Sequence, residues 1–356
     1  MSKSKAYAVD CGTMFFQVAD QNEEDKFRVR STRNAFVEIP ESEDIEDTLK
    51  RNEWQYIKDS GHFYVLGEDS LRVANMFPGK VELRRPLQHG VLNKGEEKKM
   101  LVLTELIRNA IGNAPTSDSV VCTCISSEPA DDSVDSSFHK ARLMGMFKNL
   151  GWHCKVIEEG YGVILSENPK VEEPDGGESP FSGLGLSFGA GRCNCVLSYK
   201  GIQVVGMSAS KSGDWVDSKV AEATGSPISQ VTKAKETKLD FNNVDFDDDI
   251  VFALDAYYRE MINYIFSKFA SKFQEVQSQF EAPVEVVVAG GTSMPKGFCD
   301  KVQEVIGELE LPFEIKGVRH ASEPREAVAK GCLTQALVTQ RKLREEKDQD
   351  LEDSLG

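Results

Sequence analysis

The chain has 356 residues, 40% of them hydrophobic and 28% charged, with a formal net charge of -16. This length suits two domains of roughly 100–200 residues, and the negative charge argues against DNA or RNA as a partner, because phosphates are neutralised by Lys and Arg. The sequence has no run of ~18 apolar residues and begins without the apolar segment of a signal peptide, so neither a membrane span nor secretion is expected. The eight Cys residues lack CxxC spacing, and we expect a protein of the reducing cytoplasm.

The N-terminal part of the chain is predicted to begin with a β-hairpin. Residues 6–9 and 14–19 have the apolar character of strands, and the turn between them carries Asp10, Gly12 and Thr13. The charged segment that follows, with its short apolar runs, favours a small subdomain or an insertion. Hydrophobic periodicity then predicts helices over 98–111 and 136–150 and strands over 120–125 and 155–157.

A second hairpin of the same kind follows in the middle of the chain. Residues 166–182 are rich in Pro, Gly, Glu and Ser and are expected to form a surface loop or link. Strands are then predicted over 184–188 and 193–199 on either side of the turn Gly189-Ala190-Gly191, with a third strand at 202–207. The repeat of strand, glycine turn and strand indicates duplicated domains.

The last third of the chain combines a long helix with another glycine-rich junction. An amphipathic helix is predicted over 250–276. A β-branched strand over 284–289 leads into the segment Gly290-Gly291-Thr292-Ser293 and a helix at 297–309. A final helix from Arg325 grades into a charged segment, which is expected to be a solvated helix end or disordered.

These three turns have the composition of phosphate and nucleoside contacts. A polyphosphate needs closely approaching backbone N–H groups, which glycine permits, and a carboxylate to hold Mg²⁺ through water. Asp10 supplies the carboxylate, and residues 290–293 let the backbone pass close to a ribose or base. Each turn has an alternative interpretation: a hairpin turn can be purely structural, and Ser293 can be the N-cap of the following helix.

Seven segments in this order resemble the actin superfamily, and within it the bacterial MreB-type filament proteins. They extend over most of the chain, and the match to the adenosine loop is the most specific. The segments are VDCGT at 9–13, the stretch at 65–93 with its Arg-Pro-Leu and Gly-Val at 85–91, KVIEEGYGVIL at 155–165, LSFGAG at 186–191, SGDWVD at 212–217, VVAGGTSMPKGF at 287–298 and PREAVAKG at 324–331.

The resemblance implies an α/β, actin-like (ribonuclease H-like) fold, duplicated into two domains around a nucleotide cleft that binds Mg-ATP. The first domain would be residues 1–155, with a small subdomain at about 21–80. The second would be residues 156–335, with a small subdomain at about 218–275. A charged C-terminal tail at 336–356 would follow.

The resemblance also assigns roles to individual residues. Asp10 would hold Mg²⁺ through water. Glu159 stands where the MreB family has the carboxylate that positions the attacking water, so it is the expected catalytic residue; its alternative is a solvated carboxylate at a helix start. The residues expected to contact the nucleotide are Asp10, Gly12, Thr13, Ser187, Gly189, Ala190, Gly191, Arg192, Gly213, Asp214, Lys235, Glu236, Gly290, Gly291, Thr292 and Ser293.

Three positions depart from the family pattern. Ser187 replaces an Asp of the second phosphate loop, which is expected to weaken metal binding. Arg192 replaces the Thr that helps to place the water, although its charge is suited to stabilise phosphates. Gly160 stands where Pro is usual and is expected to loosen the start of the connecting helix.

The implied function is that of a cytoskeletal protein that polymerises with ATP and hydrolyses it slowly, with itself and adaptor proteins as partners. MreB proteins attach to membranes through an amphipathic N-terminus or an apolar loop tip. Neither MSKSK nor GNAPTSDS at 112–119 supplies one, so direct lipid binding is not expected. Two alternatives stay open: a non-hydrolysing scaffold or adaptor, favoured by Ser187 and Arg192, and a small-molecule kinase, which needs a catalytic Asp near the second loop.

Overall fold

The chain divides into two compact units in a computed structural model. The first unit comprises Met1–Thr123, Ser137–Val156 and Gln335–Gly356, and the second comprises Cys124–Ser136 and Ile157–Thr334. The domain boundaries expected after residues 155 and 335 stay a prediction. The structure describes residues 3–77, 79–92, 97–132, 134, 136–167, 170–172, 178–274, 283–311 and 314–355.

The centre of the first unit is a five-stranded sheet. It is built from β1 (Ala6–Cys11), β2 (Phe15–Gln21), β3 (Phe27–Arg33), β7 (Val120–Ile125) and β8 (His153–Glu158), in the order β3-β2-β1-β7-β8. β1 pairs antiparallel with β2 and parallel with β7, so Ala8 lies opposite both Ala19 and Cys122. The first five residues of β7 are buried, which fits its continuous run of β-branched and small residues.

A second, smaller sheet with two helices follows β3. It contains β4 (Phe36–Pro40), α1 (Glu43–Arg51), β5 (Tyr56–Asp59), β6 (His62–Leu66) and α2 (Gly67–Met76), with the strand order β4-β6-β5. Ser42 caps the N-terminus of α1: its side chain accepts a hydrogen bond from the N–H of Ile45. This part has an apolar cluster of its own, formed by Val37, Ile39, Leu49, Phe63, Val65 and Val73.

Three further helices contribute to the first unit: α3 (Glu97–Ile111), α4 (Ser136–Asn149) and the C-terminal part of α10 (Ala327–Leu355). The charged C-terminal segment is helical up to Leu355. Of the two expectations for it, a helix end or disorder, the structure has the helix. Nε2 of Gln340 donates to Oγ of Ser4 at 2.8 Å, which ties this helix to the start of the chain. Neither α10 nor any other helix of the described residues is long and apolar enough to cross a membrane.

The second unit repeats the sheet of the first. It is built from β11 (Gly183–Phe188), β12 (Cys193–Tyr199), β13 (Ile202–Ala209), β14 (Val284–Ala289) and β15 (Ile315–His320), in the order β13-β12-β11-β14-β15. Here too the first strand pairs antiparallel with the second and parallel with the fourth. The repeated topology confirms the predicted duplicated α/β fold.

Four helices share a large apolar core with this sheet: α6 (Gly213–Thr224), α7 (Ile228–Thr237), α8 (Asp249–Phe273) and α9 (Phe298–Gly307). α8 begins after Asp248, whose carboxylate accepts the N–H groups of Ile250 and Val251. The aromatic residues on its inner face are buried, among them Tyr258, Phe269 and Phe273, so this side of the amphipathic helix packs in the core. Val276, at the end of the predicted helix, lies outside the described residues.

Parts of the segment at 166–182 form regular secondary structure that its composition does not predict. α5 (Glu159–Glu167) extends into it, and β9 (Lys170–Glu172) pairs antiparallel with β10 (Glu178–Pro180). Residues 168–169 and 173–177 lie outside the described part of the chain. The Pro and Gly content therefore indicated a surface loop or link but not these two short strands.

Candidate functional site

The first turn, residues 12–15, joins β1 to β2 through a close backbone approach. A Cβ atom on Gly12 would lie 2.8 Å from the carbonyl oxygen of Phe15, so a larger residue would push the turn apart. Asn34 holds the turn in place: its Nδ2 donates to the Gly12 carbonyl at 2.8 Å, and its N–H donates to the Met14 carbonyl at 2.9 Å. The backbone of the first turn is therefore fixed by short contacts.

Asp10 and Thr13 flank this glycine. Asp10 is half-buried in the last-but-one position of β1, opposite Gln17 on β2. Thr13 is buried. A carboxylate, a glycine and a hydroxyl thus lie within four residues at the end of a central strand, and all three belong to the first unit.

The second turn, residues 189–192, has the same construction. A Cβ atom on Gly189 would lie 2.7 Å from the carbonyl oxygen of Arg192, which also accepts the Gly189 N–H at 3.1 Å. Ser187 stands two residues before Gly189 and lies opposite Asn194 on β12. In the same way, Asp10 stands two residues before Gly12 and lies opposite Gln17 on β2. Ser187 is therefore the structural equivalent of Asp10, and the second unit has a hydroxyl where the first has a carboxylate.

Three segments predicted from the sequence meet at the second turn. The Gly189 carbonyl accepts hydrogen bonds from the N–H of Gly213 at 3.1 Å and from Oγ1 of Thr292 at 3.0 Å. The N–H of Asp214 donates to the Ala190 carbonyl at 2.8 Å. Because Gly213 is the first residue of α6, the positive end of that helix dipole lies at the second turn, as anion binding requires.

Residues 290–293 form a turn that depends on glycine at its start. Gly290 has a φ of 97°, and a Cβ atom there would overlap the Phe188 carbonyl oxygen. Gly291 is exposed, whereas Ser293 is fully buried and its Oγ donates to the Gly290 carbonyl at 2.8 Å. Since α9 begins only at Phe298, after Gly297, the N-cap interpretation of Ser293 is wrong.

Two side chains hold the carbonyl groups of this turn. The hydroxyl of Tyr258, on α8, donates to the Thr292 carbonyl at 2.9 Å. Burial raises the pKa of Tyr258 well above its usual value, so the hydroxyl stays a donor. Nε2 of His320 lies 2.8 Å from the Ser293 carbonyl, which gives that nitrogen the role of donor. Neither residue was assigned to the site from the sequence, because both are distant from the turn along the chain.

Lys235 and Glu236 occupy different environments, although both were expected near the nucleoside. Nζ of Lys235 lies 2.7 Å from Oδ1 of Asp217 and 3.4 Å from the carbonyl oxygen of Gly213. Lys235 is therefore brought to the start of α6 but already has a carboxylate partner there. Glu236 is exposed on α7.

Both carboxylate oxygens of Glu159, the first residue of α5, receive serine hydroxyls. Oγ of Ser187 donates to Oε2 at 3.2 Å, and Oγ of Ser126 donates to Oε1 at 3.4 Å. Glu159 is half-buried, so its environment differs from that of a solvated helix-start carboxylate. Ser126 was missed from the sequence, because it lies 33 residues from Glu159 in a segment without a motif.

The guanidinium of Arg192 is buried, and its partners are carboxylates of the same unit. Its side chain is 1% exposed, and Nη1 lies 2.8 Å from Oδ2 of Asp132. Nη2 lies 3.5 Å from Oδ1 of Asp131, and Nε donates to Oγ of Ser208 at 3.0 Å. Gly191, the preceding residue, is buried as well. The positive charge that the sequence offered to phosphates thus has two acidic partners.

Gly160 allows close packing at the start of α5. A Cβ atom on Gly160 would lie 2.8 Å from the carbonyl oxygen of Gly185, on β11, and 2.9 Å from the N atom of Val196, on β12. The start of this helix is therefore closely packed and not loosened, in contrast to the expectation from the sequence. The missing side chain lets the helix approach the sheet.

The described residues fit a magnesium nucleotide in two respects. Each unit has a turn whose glycine lets the backbone approach a phosphate closely, and the second turn lies at a helix N-terminus. Asp10 is a half-buried carboxylate, and Mg²⁺ is commonly held by one or two carboxylates together with phosphate oxygens and waters.

Comparison with known proteins identifies a family and a fold. A family model described as Volactin matches residues 5–336, whereas no curated protein matches the chain. The structure of the MamK double helical filament matches with a TM-score of 0.62 and 19% identity, over 94% of this chain and 99% of that chain.

Two crystal structures of MreB5 of Spiroplasma citri, one bound to AMPPNP and one to ADP, each match with a TM-score of 0.64 and 13% identity. They cover 98% and 96% of this chain and 100% and 99% of their own. These matches confirm the actin-like, MreB-like fold that the sequence predicted.

Proposed function

The chain belongs to the Volactin family, and from this premise we propose that it is an actin-like cytoskeletal protein that binds Mg-ATP and polymerises into filaments. The observation that carries the proposal is the pair of matching turns. Each has four residues, residues 12–15 and 189–192, and the same close approach of a glycine to a carbonyl. Such turns let backbone N–H groups bind phosphate oxygens. The MreB5 structures, which share the fold, are bound to AMPPNP and ADP.

The proposed main partner is a second copy of the chain, in the cytoplasm. MamK, which shares the fold over 94% of this chain, forms a double helical filament. Bound nucleotide would favour the conformation that adds to filament ends, and hydrolysis would weaken it, as in other two-state nucleotide switches. Adaptor proteins are proposed as further partners, whereas the net charge of -16 disfavours nucleic acid and anionic lipid.

Slow hydrolysis is proposed to depend on Glu159. Bound Mg²⁺ would neutralise charge on the phosphates, and Asp10 would bind a water of its hydration shell. Glu159 would orient the attacking water, and the hydroxyls of Ser126 and Ser187 would hold its carboxylate in place. Because Ser187 takes the position equivalent to Asp10, the second turn lacks a carboxylate for the metal, and we expect the rate to be low.

A non-hydrolysing scaffold is the second candidate. Ser187 and the buried, carboxylate-paired Arg192 both favour it, since neither the family Asp nor the family Thr is present. A small-molecule kinase would need a catalytic Asp where Ser187 stands.

Sedimentation and electron microscopy of the purified protein test the proposal. The samples contain Mg-ATP, a non-hydrolysable ATP analogue, Mg-ADP, adenosine or no nucleotide, with phosphate release followed in parallel. We expect filaments with Mg-ATP and with the analogue, fewer with Mg-ADP, and none with adenosine. Filaments without phosphate release would favour the scaffold. No pelleting with any nucleotide, over a range of salt and protein concentration, would exclude the polymer.

A further inference from the structure

Asp131 is the centre of a buried polar cluster in the second unit. Its side chain is 4% exposed. Oδ2 accepts the N–H of Ser210 at 2.8 Å, the Oγ of Ser210 at 2.9 Å and the hydroxyl of Tyr264 at 3.1 Å. Oδ1 accepts Nη2 of Arg192 at 3.5 Å. One carboxylate thereby connects the second turn, the end of β13 and α8.

This carboxylate lies on what we call the crossing segment, residues 124–132. The segment belongs to the second unit, although the stretches on either side of it in the chain, Met1–Thr123 and Ser137–Val156, belong to the first. Ser208, on β13, holds its backbone: the N–H of Ala130 donates to the Ser208 carbonyl at 2.9 Å, and the Ser208 N–H donates to the Glu128 carbonyl at 2.8 Å. The crossing segment is thus hydrogen-bonded to the last part of β13.

Arg192 adds a connection from this segment to the second turn. Its guanidinium contacts both oxygens of Asp132, at 2.8 and 3.3 Å, in addition to Asp131. To reach a phosphate, Arg192 would have to leave these carboxylates, and Asp131 would remain buried without its charged partner. Breaking a buried ion pair in this way is strongly unfavourable, because the remaining charge is neither paired nor hydrated. The charge of Arg192 is therefore used inside the unit.

We propose that Arg192 is a positioning residue, which binds Asp131 and Asp132 to join the crossing segment to the second turn and does not bind phosphate itself. The proposal rests on the proposed function, because the second turn is one of the proposed phosphate contacts. Any movement of that turn on nucleotide binding is then transmitted to the crossing segment, where the chain passes from one unit to the other.

The sign of one mutational effect distinguishes positioning from phosphate contact. Asp131→Asn removes a negative charge near the second turn. If Arg192 bound phosphate, this change would remove one of the two carboxylates that hold the guanidinium, reduce repulsion and leave ATP affinity equal or higher. If Arg192 positions the turn, Asp131→Asn and Arg192→Gln each weaken ATP and ADP binding by roughly tenfold. The double variant then binds no more weakly than Arg192→Gln alone, because Asp131→Asn removes part of the connection that Arg192→Gln removes entirely.

Hydrogen exchange without nucleotide tests the connection itself. We expect Arg192→Gln and Asp131→Asn to raise amide exchange in residues 124–132 and 189–192, with Arg192→Lys between them and the wild type. Arg259→Gln, which breaks exposed ion pairs to Glu304 and Glu308, is the matched control and should change neither segment. Unchanged exchange in both segments, or an unchanged or higher ATP affinity of Asp131→Asn, would overturn the proposal. If the wild type binds no nucleotide, the proposed function fails while the exchange data still decide on the connection.

Discussion

The hydroxyl of Ser187 donates a hydrogen bond to Oε2 of Glu159 at 3.2 Å. Ser187 is also the structural equivalent of Asp10 in the duplicated sheet. A carboxylate at this position would repel Glu159, whereas the hydroxyl holds it. At this position the second turn therefore has a hydroxyl that donates to Glu159 in place of a carboxylate.

Ser187→Asp should make nucleotide binding more dependent on magnesium. The new carboxylate would then lie beside that of Glu159, and the two repel each other unless a cation lies between them. We expect a lower melting temperature in EDTA. We also expect the Mg²⁺ concentration that gives half-maximal ATP binding to fall by about tenfold. Ser187→Ala, which removes the donor without adding charge, is the control, and equal magnesium dependence in all three proteins would contradict the prediction.

Glu159→Gln should separate hydrolysis from binding. The amide keeps the size of the side chain but lacks the negative charge with which Glu159 would orient the attacking water, so phosphate release should fall by roughly 10²–10⁴-fold. ATP affinity and pelleting should stay close to those of the wild type. Glu158→Gln changes the neighbouring carboxylate, which accepts a hydrogen bond from Oγ of Ser127 at 2.5 Å, and serves as the matched control. An undiminished rate in Glu159→Gln would show that the role assigned to Glu159 is wrong.

Gly12→Ala and Gly189→Ala should have similar effects in the two units. Each added Cβ atom would lie within 3 Å of the carbonyl oxygen at the other end of its turn, so the turn must widen. We expect both variants to lose at least tenfold in ATP affinity, measured by titration calorimetry. Gly145→Ala, where nothing lies within 4 Å of the added atom, is the control and should bind ATP normally. Normal affinity in both turn variants would remove the observation on which the proposed function rests.

Tyr258→Phe should loosen the turn at residues 290–293. The substitution leaves the Thr292 carbonyl without the tyrosine hydroxyl, at a cost of about 1–3 kcal/mol in the free energy of unfolding. The free energy of unfolding, measured by denaturant titration, and the affinity for adenosine should both decrease. The neighbouring Tyr257→Phe is the control, because Tyr257 is partly exposed and packs edge-to-face on Trp215. Equal effects of the two substitutions would argue against a special role for the Tyr258 hydroxyl.

His139 should make the protein less stable in mild acid. It is buried on α4, its Nδ1 accepts the Leu92 N–H at 3.3 Å, and burial lowers its pKa from 6.5 to about 4. The unfolded chain therefore binds a proton that the folded chain does not. The free energy of unfolding is therefore highest above pH 6.5 and falls as the pH drops toward 4. Between pH 6.5 and about pH 5 it falls by up to about 2 kcal/mol.

The measurement is denaturant unfolding at these two pH values. His139→Gln should show a smaller difference in the free energy of unfolding between them than the wild type. His153→Gln, which changes an exposed histidine, should show the wild-type difference. If His139→Gln keeps the full difference, the buried histidine is not its source.

The sequence predicted features that depend on local backbone constraints. Gly12, Gly189 and Gly290 could be found because a tight turn or a positive φ restricts the residue type at a single position. The strand order could be expected only through the resemblance, since pairing of β1 with β7 joins residues more than a hundred positions apart.

Side-chain partners were beyond prediction for the same reason. Ser126 reaches Glu159 across 33 residues, and Arg192 reaches Asp132 across 60. The charge of Arg192 follows from its residue type, but only the fold determines that this charge is buried among carboxylates. Gly160 was misjudged in a similar way, because its close neighbour Gly185 lies on a different element.

The matching geometry of the two turns has a consequence for how the halves of the molecule differ. The two turns have the same length and the strands around them have the same register, so Asp10 and Ser187 are different side chains at the same position of a repeated sheet. Under the proposed function, the two halves therefore have different roles. The first half has the carboxylate that would bind the metal through water, and the second half has the hydroxyl that donates to Glu159. A double variant that exchanges these two side chains between the halves would test whether the two roles can be exchanged as well.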